Sequence, residues 1–474
     1  MLIIKGGTIV TSKESFVGDI CIEGEKIVEV RRLDTPDGDA AGPRTKEAAC
    51  EKDTEAEIVN AAGKLVFPGF IDAHTHFDLH VAGTVTCDDF ASGTKAAVSG
   101  GTTAIIDFGT QYPGETLQEG LHNWLEKAAV GCSCDYGIHM SITDWNPETA
   151  RQCQDMMDAG VSTFKLYMTY DTQVDDKTLY EILVRLKEVG GITGVHCENS
   201  GVIDALREKL AAGDGLARVS SHCLSRPAAA EAEAIGRLLH LAGIAETEVI
   251  DVHLTCEEGL EEIRAARKRG QTVYAETCPQ YLVMDDSLYG LPGFEGAKYV
   301  IAPPLRKPRD NAALWKALAD GEIQTVATDH CAFTCAQKAL GRDDFRKIPG
   351  GMPGVETRGL VIYSEGVARG RITKEKMCQV LAENPAKLYG LYPRKGALIK
   401  GADADIVILD PGRRQTVTAA AQQSRCDYAP LEGKTLTGVI EAVYLRGVLT
   451  ASEGQVFREN RGVFLKRGKH QPLT

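Results

Sequence analysis

The sequence of 474 residues lacks features that would place it in several large classes of protein. It has no run of about 18 apolar residues, the length that a membrane-spanning helix needs. The apolar run after Met1 is too short for the core of a signal peptide. No stretch is rich in Lys and Arg, and the formal net charge is −13. We therefore expect neither a membrane nor a nucleic acid as a partner.

Cysteine is plentiful, with 14 residues, but its spacing indicates neither a metal ribbon nor a disulfide framework. The close pair Cys132/Cys134 has no second pair at the spacing of a zinc ribbon. In a large chain without a secretory signal, scattered cysteines are typical of reduced thiols that pack in the interior. With 43% hydrophobic and 25% charged residues, the composition is that of a globular protein, and we expect a cytoplasmic enzyme.

From Val66 onward, short apolar segments alternate with amphipathic stretches, a pattern typical of a parallel sheet covered by helices. The clearest helices are predicted at 176–189 and 256–269, each with a Gly just past its end. Eight strands with helices between them favour an α/β fold, a (β/α)8 TIM barrel, over a doubly wound open sheet. The predicted strands are 66–76, 103–109, 135–143, 163–170, 192–199, 248–255, 272–278 and 325–331.

The two ends of the chain differ from this alternation. Residues 1–31 and 396–474 read as short strands joined by Gly turns, and neither end is long enough for a domain of its own. We predict that they pair into one small β-sandwich, with parts 1–65 and 393–474 flanking a barrel of residues 66–392. The polar segment 33–56 is predicted to be a surface loop.

Histidine and aspartate residues stand at the ends of several predicted strands, where a TIM barrel places its active site. His74 and His76 end the first strand, and alternate side chains of an extended chain face the same way. His196, His253 and Asp329 end the fifth, sixth and eighth strands. Such ligands suit Zn, Mn, Co or Fe in an open catalytic site. Because five ligands exceed what one tetrahedral ion takes, we predict two ions roughly 3.5–4 Å apart.

Lys165 lies inside the otherwise apolar fourth strand, and two interpretations of it are open. A protonated lysine would repel a metal ion, but a buried lysine can lose its proton. Its amine could then take up CO2 as a carbamate, whose two oxygens could bridge both ions. The spacing alone does not favour this bridge over a structural lysine.

The segments around these residues resemble the amidohydrolase superfamily, in particular its dihydropyrimidinase and hydantoinase branch and the bacterial phenylhydantoinases within it. The similarity runs through essentially the whole chain, with the segments in one order. They are FPGFIDAHTHF (67–77), GGTTAIIDF (100–108), TFKLYMTY (163–170), GVHCEN (194–199), LSRP (224–227), ETCPQYL (276–282), APPLR (302–306), ATDHCAF (327–333) and GMPGVETR (351–358).

The resemblance implies two divalent metal ions, with zinc expected and manganese or cobalt as alternatives. The more buried ion would be bound by His74, His76 and Asp329, and the more exposed ion by His196 and His253.

Further roles follow from the same resemblance. Lys165 would be the carboxylated lysine that bridges the ions, and Tyr170, five residues later, would donate a hydrogen bond to the substrate carbonyl. Asp329 would carry the proton from the attacking water to the leaving ring nitrogen. The family's usual Ser and Asn are Ala302 and Gly350 here. Since relatives bind the ring amide there mainly through backbone groups, we keep both as substrate-binding residues.

The implied reaction is hydrolysis of the cyclic amide bond of dihydropyrimidines or 5-substituted hydantoins to N-carbamoyl amino acids, by a homotetramer. Dihydroorotases typically have an Arg after the H-x-H motif to hold a carboxylate, whereas Phe77-Asp78 follows here. An acidic ring substrate is therefore not expected. An allantoinase-like cyclic ureide hydrolase is one alternative. A non-catalytic scaffold on the same fold is another, although the intact ligands argue against it. A deaminase or phosphotriester-type hydrolase of the wider superfamily is a third alternative, which the nine segments quoted above fit less well.

Other polar residues near the strand ends are given structural roles. We predict that Asp107 forms hydrogen bonds and is not a ligand, and that His330 is structural. His222 is expected at the surface. Arg226 is expected to form an ion pair with Glu231 or Glu233.

Overall fold

A computed structural model of the protein describes residues 1–33 and 56–473. The surface loop predicted at 33–56 falls outside these ranges apart from its two end residues, so it stays a prediction. In the described part of the chain, no helix is long and apolar enough to cross a membrane.

The strands alternate with helices through the middle of the chain and follow one another directly at both ends. The strands are β1 (Leu2–Val10), β2 (Ser15–Glu23), β3 (Lys26–Arg32), β4 (Glu57–Asn60), β5 (Leu65–Pro68), β6 (Phe70–Thr75), β7 (His80–Val81), β8 (Thr84–Val85), β9 (Thr102–Thr110), β10 (Asp135–Ser141), β11 (Thr163–Tyr167), β12 (Ile192–His196), β13 (Val249–Asp251), β14 (Val273–Thr277), β15 (Thr325–Val326), β16 (Ile406–Thr416), β17 (Thr435–Leu445), β18 (Val448–Ser452) and β19 (Gln455–Val456).

The helices carry the capping residues that the sequence signals. The predicted helix at 176–189 forms at those residues, with Asp175 capping its first turn and Gly190 ending it in the left-handed region at φ 77°. The helices are α1 (Phe90–Ser99), α2 (Leu117–Ala128), α3 (Pro147–Asp158), α4 (Asp176–Val189), α5 (Ser200–Ala212), α6 (Ser221–Leu224), α7 (Ala228–Ala245), α8 (Glu257–Lys268), α9 (Pro279–Val283), α10 (Pro308–Asp320), α11 (Cys335–Lys338), α12 (Arg358–Val361), α13 (Lys374–Cys378) and α14 (Asn384–Leu388).

Eight parallel strands form the central barrel, in the order β6-β9-β10-β11-β12-β13-β14-β15. Each strand is followed by helical structure that packs on the outside, and a parallel bridge between Thr75 and His330 joins the two ends of the sheet. The predicted (β/α)8 TIM barrel is thus confirmed, and the open doubly wound sheet is not the fold.

The strand predicted at 66–76 is two strands, which is a correction to the sequence interpretation. β5 pairs with β1 and β16 in the sheet formed by the chain ends, whereas β6 pairs with β9 in the barrel. The chain passes between them at Gly69, where a Cβ atom would lie 2.0 Å from Thr103 Oγ1. Only glycine fits this close approach. The single apolar run 66–76 can therefore cross from one sheet to the other at this residue.

Side chains close the seam between the first and last barrel strands, where β15 contributes only two residues. Thr328 donates to Asp72 through its backbone nitrogen (3.1 Å) and its hydroxyl (2.7 Å). Arg358 is fully buried and donates to the carbonyls of Ile71 and Val326, both at 2.8 Å. Its Nε lies 3.6 Å from Asp72 Oδ2, so a buried ion pair spans the seam.

The lower part of the barrel interior is apolar. One buried cluster contains Ile71 of β6, Ile106 of β9, Ile192 of β12 and Ile250 of β13. Because these strands lie on different walls of the barrel, their side chains meet in its interior. Leu465 from the end of the chain joins the same cluster. The apolar filling leaves the opposite, carboxyl end of the strands for polar side chains.

Both chain ends form one sheet, in the order β19-β18-β17-β16-β5-β1-β2-β3, with β4 paired to β1. Ile4, Ile20, Ile406 and Tyr444 belong to one buried cluster, although they come from opposite ends of the sequence. The predicted pairing of the two ends into one small β-sandwich is confirmed in that both ends form one separate β-unit, whose strands lie in a single sheet. The domain boundaries at 65/66 and 392/393 stay predictions.

We expect Arg358→Met to lower the free energy of unfolding by about 3–5 kcal/mol, because it leaves Asp72 as an unpaired buried carboxylate. Denaturant unfolding followed by circular dichroism measures this loss. Arg151→Met, which removes an exposed ion pair with Glu148, is the control and should leave the unfolding midpoint unchanged. If Arg358→Met unfolds at the same denaturant midpoint as Arg151→Met, the buried ion pair does not stabilise the seam.

Candidate metal centre

Two strand ends bring three of the predicted ligands together across the barrel seam. His74 is in β6, His76 follows it, and Asp329 lies three residues after β15 in the left-handed region at φ 52°. Asp329 Oδ1 lies 3.2 Å from His74 Nε2 and 3.1 Å from His76 Nε2. Ligand atoms of the three residues all lie within 4.8 Å of one another, the spacing of a group that could hold one metal ion.

The other two predicted histidines lie beside this group. The ring centroids of His196, the last residue of β12, and His253, two residues after β13, are 4.6 Å apart. The His253 ring is 5.4 Å from that of His74. The four imidazoles therefore form a continuous cluster.

Lys165 lies in β11 with only 1% of its surface exposed. Its Nζ is 5.0 Å from the ring centroid of Phe108 and 5.2 Å from that of Tyr167. Burial lowers the pKa of Lys165 to about 8, although Asp329 and Glu276 oppose this shift. The structure thus places a buried amine close enough to the predicted ligands His74 and His253 to act on their charges.

Two glutamates that the sequence interpretation missed orient the histidines. Glu276 Oε1 of β14 lies 2.7 Å from His74 Nδ1, and Glu198 Oε2 lies 2.8 Å from His196 Nε2. A carboxylate on one ring nitrogen fixes the imidazole and leaves the other nitrogen for a metal. The signal was present, because Glu276 ends an apolar strand and Glu198 stands two residues after His196.

The residues present fit a metal centre. Within the described ranges, His74 Nε2 and His253 Nδ1 are buried and have no hydrogen-bond partner. Buried polar atoms are nearly always paired, so two unpaired ring nitrogens in one cluster call for a ligand. Burial lowers the pKa of His74 and of His253 well below the usual range, which keeps their nitrogen lone pairs available. Nitrogen and carboxylate donors without cysteine suit a catalytic divalent ion.

Neighbouring groups hold two carboxylates of the site ionised. Burial alone would raise the pKa of Asp329, but the contacts with the His74 and His76 rings and the nearby Lys165 outweigh it, and the net shift is downward. Burial likewise acts to raise the pKa of Glu198, but Arg226 and His196 bring it down to about 2. Both groups are therefore carboxylates at neutral pH.

Arg226 does not pair with Glu231 or Glu233 as expected. It forms a buried ion pair with Glu198, while Arg306 Nη2 pairs with Glu231 at 2.6 Å. The expectation was wrong because it relied on proximity in the sequence. Glu198, which follows β12, is brought to Arg226 by the fold.

Tyr170, predicted to contact the substrate, lies at the mouth of the site and is 38% exposed. Its ring centroid is 5.0 Å from that of His196 and 5.4 Å from Arg226 Cζ. Its backbone is left-handed, at φ 71°, which a tyrosine rarely adopts. Such a strained residue next to candidate ligands is typical of a functional site.

The two remaining predicted site residues, Ala302 and Gly350, lie beside each other. A Cβ atom built on Gly350 would be 3.9 Å from the Ala302 nitrogen. Within the described part of the chain, neither residue uses its backbone groups in a protein hydrogen bond. These groups are therefore free to bind a ligand.

Three other interpretations can be compared with the structure. Asp107 accepts hydrogen bonds from Thr75, Phe77 and Trp124, at 2.8–3.0 Å, and is a structural residue as predicted. His330 contacts Asp88 at 3.1 Å, which also fits a structural role. His222 is buried, with Nε2 2.7 Å from the Ile301 carbonyl oxygen, so its predicted surface position is wrong.

Known proteins resemble this chain along nearly its whole length. Residues 65–450 match the model of the Amidohydrolase family. The chain is 41% identical over 477 residues to a D-hydantoinase of Geobacillus stearothermophilus, an alignment that covers 99% of this chain and 97% of that protein. It is 39% identical to a D-phenylhydantoinase of Escherichia coli (strain SE11), with 99% of both chains covered. The crystal structure of a dihydropyrimidinase from Brevibacillus agri superimposes with a TM-score of 0.93, at 38% identity and 99% coverage of each chain.

Proposed function

The chain belongs to the amidohydrolase family, and on that premise we propose that it hydrolyses the ring amide of 5-substituted hydantoins or dihydropyrimidines to N-carbamoyl amino acids. The observation that carries the proposal is the convergence of His74, His76 and Asp329 with His196 and His253 at the barrel mouth. Full-length similarity to D-hydantoinases supports the substrate class.

The site would hold two divalent metal ions, with zinc first and manganese or cobalt as alternatives. His74, His76 and Asp329 would bind one ion, and His196 and His253 the other. When bound, such ions lower the pKa of a water molecule and polarise a carbonyl group.

Lys165 would link the two halves of the site as an N-carboxylated lysine. The neutral amine attacks the carbon of CO2, one C–O π pair moves onto oxygen, and the nitrogen loses a proton to solvent. The resulting carbamate has the two anionic oxygens that a bridge needs. Burial of the amine, which lowers its pKa to about 8, supports this chemistry.

Asp329 acts as the general base and then the general acid. Its carboxylate takes the proton of the attacking water and delivers it to the leaving ring nitrogen as the C–N bond breaks. Tyr170 donates its hydroxyl proton in a hydrogen bond to the carbonyl oxygen, where negative charge builds up. The free backbone groups of Ala302 and Gly350 hold the rest of the ring amide.

We also propose that the protein is a homotetramer in the cytoplasm. The family resemblance supports the tetramer, and the reduced state expected of the scattered cysteines supports the location.

A substrate panel tests the function: dihydrouracil, hydantoin, 5-phenylhydantoin, allantoin and dihydroorotate, each with metal-loaded protein. We expect turnover of the first three. Selective turnover of allantoin would favour the allantoinase-like alternative. A protein that binds no metal and hydrolyses none of the five would be a scaffold.

Replacement of Lys165 by alanine should remove metal and activity together, because the bridging oxygens are lost. Elemental analysis should show fewer than two ions per chain. A short carboxylic acid added in solution should restore part of the activity by supplying the missing oxygens. The matched control is Lys177→Ala, which changes an exposed lysine. Two bound ions and normal turnover in Lys165→Ala would rule out the bridge.

Asp329→Asn should lower kcat by about 10²–10⁴-fold, because the amide cannot accept the proton that a carboxylate takes. Initial rates at saturating substrate measure kcat, and the metal content is determined on the same samples to separate the loss of a base from the loss of a ligand. Asp144→Asn, at an exposed residue, should keep its full rate. Near-normal turnover in Asp329→Asn would exclude Asp329 as the proton carrier.

A further inference from the structure

Lys338 is a buried cation that the proposed mechanism does not use. It ends α11 with 1% of its surface exposed. Its Nζ donates to three backbone carbonyls, those of Val300 (2.8 Å), Pro349 (2.7 Å) and Gly351 (2.7 Å). These bonds use all three donors of an ammonium group.

A buried charge of this kind is expensive for a protein to keep, and burial lowers the pKa of Lys338 to about 7. Three carbonyl acceptors are satisfied together only by the protonated amine, which has three N–H donors, so this position holds the ammonium form. Within residues 1–33 and 56–473 no carboxylate pairs with Lys338. Transfer of an unpaired cation from water into the interior is strongly unfavourable unless polar groups surround it. Three carbonyls offset that penalty, and the lysine in turn satisfies carbonyls that an apolar side chain would leave without a donor. The lysine and the two backbone segments that carry these carbonyls therefore depend on each other.

The three carbonyls belong to the two segments that carry the free backbone groups. Val300 precedes Ala302 by two residues, and Pro349 and Gly351 stand on either side of Gly350. The Gly351 nitrogen also donates to the Val300 carbonyl at 2.9 Å, so the ammonium group bonds both segments where they already touch.

Neighbouring carbonyls of the first segment are held by other side chains. His222 contacts the Ile301 carbonyl oxygen at 2.7 Å, and the Tyr281 hydroxyl donates to that of Pro303 at 2.7 Å. The backbone on both sides of Ala302 is thus fixed, while Ala302 itself keeps its backbone groups free. Rigid flanks with a free centre are what a preformed amide-binding site requires.

The charge also acts through the peptide bond. The carbonyl of Pro349 and the N–H of Gly350 belong to the same peptide group. A hydrogen bond from a cation to that carbonyl polarises the group and makes its N–H a stronger donor.

We infer that Lys338 is a positioning residue, which holds the segments of Ala302 and Gly350 at the separation that receives the ring amide and strengthens the N–H donor of Gly350. The inference rests on the proposed function. Lys338 touches no substrate itself, because its three protons are all directed at backbone carbonyls.

Lys338→Met and Lys338→Gln test the inference by steady-state kinetics on dihydrouracil and 5-phenylhydantoin. We expect KM to rise about tenfold or more, with a smaller fall in kcat and two bound ions retained, since the metal ligands lie on other elements. Lys338→Arg, which keeps the cation, should recover part of the lost kcat/KM. Lys187→Met is the control, because this exposed lysine also donates to a carbonyl, that of Ala245 at 3.2 Å.

Unchanged kcat/KM in soluble, metal-replete Lys338→Met would overturn the inference. So would a lower melting temperature with unchanged KM in all three variants, because that pattern marks a purely structural lysine. If Lys338→Met does not fold, Lys338→Gln and Lys338→Arg decide by the same KM criterion. A wild-type protein that opens none of the rings would instead refute the proposed function, and this inference with it.

Discussion

The site depends on closure of the barrel between its first and last strands. His74 and His76 lie on one side of this seam and Asp329 on the other, so a small opening would separate ligand atoms that now lie 3.1–3.2 Å apart. The backbone contributes little there, since β15 has only two residues and a single bridge joins Thr75 to His330. The buried contacts of Asp72 with Thr328 and Arg358 hold the seam, and they lie directly beneath the ligands.

Buried charges surround the site, and most of them are compensated by a partner of opposite sign. Glu198 has Arg226, and Glu231 has Arg306. Arg306 also donates from Nη1 to the Arg226 backbone carbonyl, at 2.5 Å, which connects the two pairs. Through Glu198, which also contacts His196 Nε2, this network fixes one imidazole of the site. The ring nitrogens left without partners are then the groups whose hydrogen-bonding capacity a bound ion would satisfy.

Most of the fold could be predicted because its signals are local. Alternation of apolar strands with amphipathic helices, caps such as Asp175 and Gly190, and ligand-type residues at strand ends all lie within short windows of sequence. The errors concern contacts between distant segments. The predicted strand 66–76 divides between two sheets at Gly69, which lies against Thr103. Arg226 pairs with Glu198, which is distant in sequence, and His222 is buried against Ile301. None of these partners is adjacent in sequence.

The sequence by itself determined the class of chemistry: which side chains can bind a metal, that they stand at the ends of parallel strands, and which family they resemble. This information is local: residue types are read directly, and hydrophobic periodicity specifies each strand or helix independently of the others. Only the tertiary structure decided which nitrogen of His74 and of His196 is occupied by a glutamate, and that the backbones of Ala302 and Gly350 adjoin around Lys338. Those facts depend on the packing of segments up to about 200 residues apart, for which a linear pattern of residue types has no signal.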